Sequence, residues 1–381
     1  MGGSGNVENL ESFDIAIVEV PKTKTLTLMK EVQKSPFLTA AEKDFKTNWI
    51  KDVDAAPSLS SSFQQAQGIV NSAKINWPWK FPKPQQPSAS SEFQWNMLRI
   101  DAPKAWKKTQ GKGVNVAIID TGVDCSHPDL NCSLSDGVNI INPATSPMDD
   151  NEHGTHVAGI ISGQGQTITV DGQKTRVFGV APQVHIIPVK ALDAKGSGYL
   201  SDIVLGIYWA TSHGAQVINM SLGSPSGATS LEQAVQKAYQ AGVTVIAAAG
   251  NDGQGNQSTV NYPGAYPWVI AVAASDSKDH IASFSSAGPA VDLITPGVDI
   301  LSTIPTGYER MSGTSMACPH AVGLAALAIA SGASSPEAVK KALNSASKRL
   351  CSKKFHQFCL RYPPATDQGH GLPDAAKIVG L

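Results

Sequence analysis

An excess of charge of either sign is missing from this sequence. Its 30 Lys and Arg stand against 31 Asp and Glu, for a net charge of -1. Charge so balanced gives no footprint for nucleic acid or for an anionic membrane surface. No apolar run is long and uninterrupted enough to span a bilayer, so no membrane partner is expected. The opening Met1-Gly2-Gly3-Ser4-Gly5 has no basic n-region and no apolar h-region. It reads as a flexible leader rather than a signal peptide, and bears little on where the protein resides. No GxGxxG follows the strand-like Val114–Ile119, which argues against a dinucleotide site, and there is no internal repeat. His153 and His156 are three apart with no HExxH glutamate, which argues against zinc. Cysteine is scarce and odd in number, at five. Cys125 and Cys132 flank one short loop and Cys351 and Cys359 another, leaving Cys318. Two local disulfides and one unpaired thiol suit an oxidising compartment; five free thiols in the cytosol is the alternative.

What is present is enough apolar material for a large core: 381 residues, 41% hydrophobic. Phe13–Val20 alternates polar and apolar, and Thr25–Val32 resumes strand-like character after Pro21-Lys22-Thr23-Lys24, which predicts a hairpin. Thr39–Val53 reads as a helix, with Thr39 as cap and Glu42 three residues on. Residues 77–91 turn to Pro, Ser, Gln and Lys, the composition of an extended, exposed linker open to proteolysis. The chain thus divides into a leader over 1–9, a small unit over 10–76, the linker over 77–91 and a large unit over 92–381.

The large unit alternates strands and helices. Strands are expected at Val114–Ile119, Val184–Val189, Val217–Met220, Val243–Ala248 and Val269–Ala273. Helices are expected at His153–Ser162, Leu200–Thr211, Leu231–Ala241, Ala321–Ala330 and Ser335–Ser345. Wholly apolar strands separated by helices predict an α/β protein with a mostly parallel sheet covered on both faces. In such sheets ligands bind beyond the carboxyl ends of the strands. Asp120 stands there, directly after the strand VNVAII. Ser315, in Gly313-Thr314-Ser315-Met316-Ala317-Cys318-Pro319-His320, stands at the entrance of the apolar helix. There a helix dipole and free amides suit a nucleophile that develops an oxyanion. With His153 between them, these residues form an Asp, His, Ser series. In a triad the serine attacks, the histidine carries the proton and the aspartate orients the histidine. The chain order and the lack of a GxSxG elbow both argue against an α/β-hydrolase esterase.

These motifs, IIDTGVDCSHPDL, NEHGTHVAG and SGTSMACPH, with Ala247-Ala248-Ala249-Gly250-Asn251 and Asn219-Met220-Ser221-Leu222-Gly223, resemble those of the subtilisin-like serine proteases, or subtilases. The similarity runs from about Gln94 to Ile329, and VNYPGAYPWVIAVAASD is closest to the thermitase-like secreted branch. The resemblance implies a three-layer subtilisin-like fold with a small α+β propeptide-like unit before it. It implies a serine endopeptidase acting through an acyl-enzyme, with Asp120, His153 and Ser315 as the triad. Asn251 and the Ser315 amide are then the oxyanion donors, and His156 is structural. No cofactor is implied for catalysis. Ser221, Leu222 and Gly223 match one rim of the substrate groove, and Gly196, Ser197 and Gly198 the other. Ala249, Gly250 and Asn261 wall the pocket for the residue before the cut. Asn261 stands where a glycine is common, which shortens the pocket and makes it partly polar. Asp252, near its rim, modestly favours basic side chains, within a broad hydrophobic or mixed preference.

Asp129 matches a calcium-ligating carboxylate of the family, so a structural calcium is expected, although Gly163–Phe178 lacks the usual ligands. Partners implied are protein and peptide substrates and the chain's own propeptide as inhibitor, on a secreted monomer. Self-processing is expected in the 77–91 linker. The alternatives are a cytosolic processing protease and a catalytically silent binding protein on the same fold; no triad or oxyanion residue is missing. Of the N-x-S/T sites at Asn131, Asn219 and Asn256, Asn219 falls in a buried strand.

Overall fold

The computed structural model describes residues 7–10, 15–18, 42–51, 93–170, 172–254, 258–350 and 367–381. The linker over 77–91, most of the N-terminal unit, Asn256, Cys351 and Cys359 lie outside these residues. In the N-terminal part, β1 (Val7–Leu10) pairs antiparallel with β2 (Ile15–Val18), so the leader is strand-forming from Val7 on. Residues 25–32 fall outside the description. The helix expected over Thr39–Val53 is absent where the chain is described. Lys46–Asn48 is instead strand β3.

The large unit begins with two short helices, α1 (Trp95–Arg99) and α2 (Ala102–Ala105), followed by β4 (Asn115–Asp120) and β5 (Val138–Asn139). Helix α3 (His153–Ser162) leads into a hairpin of β6 (Gln164–Val170) and β7 (Gln173–Phe178). Next come β8 (His185–Lys190), β9 (Ser197–Tyr199), α4 (Leu200–Ser212), β10 (Val217–Met220), α5 (Thr229–Gln240), β11 (Thr244–Ala248), β12 (Val269–Ser275) and β13 (Val291–Pro296). A second hairpin, β14 (Ile300–Ile304) and β15 (Gly307–Met311), precedes α6 (Thr314–Ala330) and α7 (Pro336–Ala346).

Seven strands form one sheet in the order β13-β12-β11-β10-β4-β8-β5, and every pair in it is parallel. Period-2 alternation divides its side chains between two cores. Val116 and Ile118 of β4 join the core under α3, α6 and α7, while Ala117 and Ile119 join the one under α4 and α5. Strand β4 lies between β8 and β10. The chain leaves β4 toward β5 and β8, then returns to β10 on its other side. This is the switch point where a crevice opens at the carboxyl ends of the strands, and Asp120 is the last residue of β4.

Helix α6 starts earlier than its apolar run suggests. Gly313 is its N-cap and Ser315 its second residue, so the serine lies within the first turn rather than before it. Pro319 sits inside this helix and has no N–H to give to the carbonyl four residues back, which is that of Ser315. The Ser221 hydroxyl fills the vacancy, donating to Ser315 O at 2.9 Å. A buried carbonyl needs such a partner.

Candidate active site

Asp120 is fully buried, and its Oδ1 accepts hydrogen bonds from Thr121 N at 2.8 Å and His153 Nδ1 at 2.8 Å. A carboxylate can only accept, so it selects the histidine tautomer with the proton on Nδ1 and turns Nε2 toward the crevice. Asp149 holds the two elements in place. It accepts from the Thr121 hydroxyl at 2.8 Å, from the Asn151, Glu152 and Thr155 amides, and from the Thr155 hydroxyl at 2.6 Å. Glu152, just before the histidine, has φ of 101°, a left-handed value that side chains rarely adopt. Gly154 packs on the loop after β4. A Cβ there would lie 2.0 Å from Gly122 O, so no side chain fits.

Ser315 donates its hydroxyl to Ser221 O at 3.0 Å, completing a reciprocal link between β10 and α6. Helices α3 and α6, which carry His153 and Ser315, pack against each other. As a first-turn amide, the Ser315 N–H has no partner within its own helix. Asn251, in the loop after β11, accepts from Thr314 N at 3.0 Å and Thr314 Oγ1 at 2.9 Å through its Oδ1. Its Nδ2 therefore faces the crevice, where it donates to Lys51 O at 3.0 Å. Thr314 escapes sequence reading as a functional residue, because a Thr before a helix looks like an ordinary cap.

The carbonyl on Asn251 belongs to a strand already in the groove. Residues Lys46–Asn48 pair antiparallel with Ser197–Tyr199, and Trp49 N donates to Gly196 O at 3.0 Å. From the other rim, Gly223 N donates to Trp49 O at 3.0 Å. The chain between the rims is thus held by main-chain bonds on both sides, the geometry of strand addition. Two acidic side chains anchor it further back. Glu42 accepts from the Thr229 and Ser230 amides at the start of α5, at 2.9 and 2.8 Å. Asp44 accepts from Ser201 N at 3.0 Å and Ser201 Oγ at 2.7 Å at the start of α4. Negative charge is stabilised at both helix ends.

The sequence-expected groove residues converge. Gly196, Ser197, Gly198 and Gly223 pair or bond with the strand, Ser221 is buried against Ser315, and the Leu222 side chain turns into the core. Ala249 O accepts from Asn261 N at 2.8 Å. Gly250 has φ of 109°, and a Cβ there would come within 2.3 Å of Asn261 Nδ2. Asn261 is buried and donates to Asp252 Oδ2 at 2.9 Å.

Asp129 lies at the foot of the β6–β7 hairpin. Its Oδ1 accepts from Gln166 N at 2.9 Å, a main-chain amide of the β6–β7 hairpin, and no group of three metal-ligating side chains occurs among the described residues. Calcium requires six to eight oxygens; the Gln166 amide takes one oxygen of this carboxylate, and burial raises its pKa. Cys125 and Cys132 form a disulfide, as expected. Cys318, one turn beyond Ser315, is a buried thiol pushed up to about 12 by burial, and so inert as a nucleophile.

Two histidines near the site are structural. Burial lowers His156 to about 3 and His320 to about 4. His156 Nε2 donates to Ile300 O at 3.0 Å, and His320 Nδ1 to Met316 O at 2.8 Å. Unfolding returns both to about 6.5, so between these values the unfolded chain binds more protons. Their contribution to stability is complete above pH 6.5 and is lost as pH falls toward 4 and then 3. The melting temperature is expected to drop over this range, and His320→Gln to flatten the drop; a melting temperature constant from about pH 7 to 4 would contradict the assignment.

Similarity to known proteins accords with this geometry. The Subtilase family (Peptidase_S8) model matches residues 111–374. The chain is 49% identical to Subtilisin DY of Bacillus licheniformis over 220 residues, covering 57% of this chain and 77% of that protein. It is 50% identical to Subtilisin E of Bacillus subtilis strain 168 over 220 residues, covering 57% of this chain and 55% of that one. It is 46% identical to a thermophilic serine proteinase of Bacillus sp. strain AK1 over 261 residues, covering 68% and 62%. The matched part thus spans about half of some relatives and three quarters of others.

Proposed function

The chain belongs to the subtilase family of serine proteases, and from that premise we propose that Ser315, His153 and Asp120 hydrolyse peptide bonds of extended polypeptides. Ser315 Oγ attacks the carbonyl carbon while His153 Nε2 takes its proton. Asp120 keeps the other imidazole nitrogen protonated and stabilises the imidazolium that forms. Asn251 Nδ2 and the Ser315 N–H donate to the developing oxyanion. The tetrahedral intermediate collapses, His153 protonates the leaving amine, and water then hydrolyses the acyl-serine by the same proton path. No cofactor takes part in these steps.

The observation that carries this reading is the bond from Asn251 to Lys51 O. It is a side-chain amide aimed at the carbonyl of a strand lying across the site, beside a buried Asp–His pair. Asn251→Ala is expected to lower kcat by about 10²–10³-fold with little change in KM, because the donor acts mainly in the transition state. Labelling by a fluorophosphonate probe, read by intact mass, tests the nucleophile directly; a folded wild-type protein that takes no label would sink the reading.

The protein is proposed to be made as a zymogen whose N-terminal unit, through residues 42–51, occupies and inhibits the site until the chain is cut. The capping of α4 and α5 by Asp44 and Glu42, and the strand over 46–51, support this. A parallel sheet with many long-range contacts folds slowly, and a segment that bridges its parts assists it. A secreted monomer acting on proteins and peptides fits the Cys125–Cys132 disulfide. No helix among the described residues is long and apolar enough to cross a membrane.

A further inference from the structure

Which residue the site takes before the cut is set by how the bound strand is registered. Trp49 fixes that register. Its ring is 2% exposed, and its indole N–H donates to Gly198 O at 2.9 Å. Sliding the strand by one residue would turn the ring to the opposite face. With Trp49 seated, the Lys51 carbonyl meets Asn251 Nδ2, so Lys51 supplies the acyl group and Asp52 the amine.

The Lys51 ammonium pairs with Asp252 Oδ1. The other oxygen, Oδ2, accepts from Asn261 Nδ2 at 2.9 Å, and Asp252 N donates to Ser286 Oγ at 3.1 Å. Burial alone would raise the Asp252 pKa; the bonds from Lys51 and Asn261 hold it below the usual carboxylate value. The carboxylate is therefore fixed on two sides beside the Lys51 carbonyl, and the buried Asn261 sets a polar amide next to it. An aliphatic residue here would leave a half-buried carboxylate without its cation.

Resting on the proteolytic reading above, we infer that Asp252, positioned by Asn261, makes the pocket select lysine, and that Lys51–Asp52 is the bond the protein cuts in itself. In that step Ser315 Oγ bonds to the Lys51 carbonyl carbon and the C–N bond to Asp52 breaks. The serine's proton passes through His153 to the Asp52 amine. Water then releases Lys51 as a carboxylate and restores the serine. The cut lies upstream of the 77–91 linker, and the preference differs from a broad hydrophobic one. The pair is not deeply buried, since the Lys51 side chain is 59% exposed and that of Asp252 32%. Water and salt screen it, and the selectivity it confers is about fivefold in kcat/KM.

Two measurements test the inference. Freshly refolded full-length wild type is sampled through time, and the first product is identified by intact mass and N-terminal sequencing. A first product that begins at Asp52 is expected; one that begins within residues 77–91 overturns the assigned bond. One portion of the processed enzyme is then titrated with the fluorophosphonate probe to count active serines, and the untreated remainder is given peptides that differ only in Lys, Leu or Phe before the cut. Per titratable serine, Lys is expected to lead by about fivefold in wild type. Asp252→Asn should abolish that lead, and Asp252→Lys should reverse it, each read as the ratio of Lys to Leu peptide turnover within the same variant. Equal turnover of Lys and Leu peptides by wild type whose serine titrates with the probe overturns lysine selection while leaving the protease reading intact. Failure to label at all overturns the protease reading, and this inference with it.

Discussion

Ser315→Ala is expected to lower peptide turnover by about 10⁶-fold, the size known for subtilisin-type triads, and to leave the full-length chain uncut. The hydroxyl is the only part of the side chain lost. The link from Ser221 Oγ to Ser315 O uses the main chain and survives, so α6 keeps its seat on β10. The donor to Ser221 O disappears, a small change beside the loss of the nucleophile. Fold and groove should therefore persist while chemistry stops. Active-site titration, kcat and intact mass check it together. A variant that still cleaves within about 100-fold of wild type would place the nucleophile elsewhere. Because the uncut strand stays in the groove, this variant should also be the form in which the Asn251–Lys51 contact is best observed.

Asp120→Asn is expected to lower kcat by about 10⁴-fold while the protein stays folded. The loss is smaller than for the serine, and its physics differs. The substituted amide can present its NH₂ to His153 Nδ1, which places the ring proton on Nε2, the position that must accept the proton of Ser315. The change also removes the negative charge that stabilises the imidazolium. Folding should suffer little, since an amide is isosteric with the carboxylate and costs less to bury. Thermal melting and kcat over a pH series separate the two effects. A loss below about 100-fold with an unchanged melting temperature would show that Asp120 does not orient His153.

Much of the site is legible in the sequence because its chemistry sits in contiguous motifs, and the sheet because its strands are apolar throughout. Val217–Met220 and His153–Ser162 form the strand and the helix that their patterns predict. The N-terminal segment is not legible, for a definite reason. Thr39 and Glu42 have the spacing of a capping box, which suggests a helix starting there. Glu42 does accept helix amides, but they belong to α5, at Thr229 and Ser230. Lys46–Asn48 likewise finds its partner in Ser197–Tyr199, so tertiary pairing overrides local pattern. Hydrophobic pattern places the start of α6 too late, because Thr314–His320 lacks the unbroken apolar character of Ala321–Ala330. The role of Lys51 depends on strand register across the groove, a property of two distant segments that no local motif records. At Asp129 the motif likewise does not record the main-chain amide that the β6–β7 hairpin brings to it.

The strand over Lys46–Lys51 is covalently part of the chain it occupies. While the Lys51–Asp52 bond is whole, the groove meets it at an effective concentration of about a millimolar, whatever the amount of protein in solution. Once that bond is cut, residues 1–51 become a separate molecule, and occupancy of the groove obeys ordinary mass action. Latency then changes from a property of each molecule into a property of the solution. Dilution by itself wakes the enzyme, and the first molecules freed can digest the released segment, which removes the inhibitor for all the others.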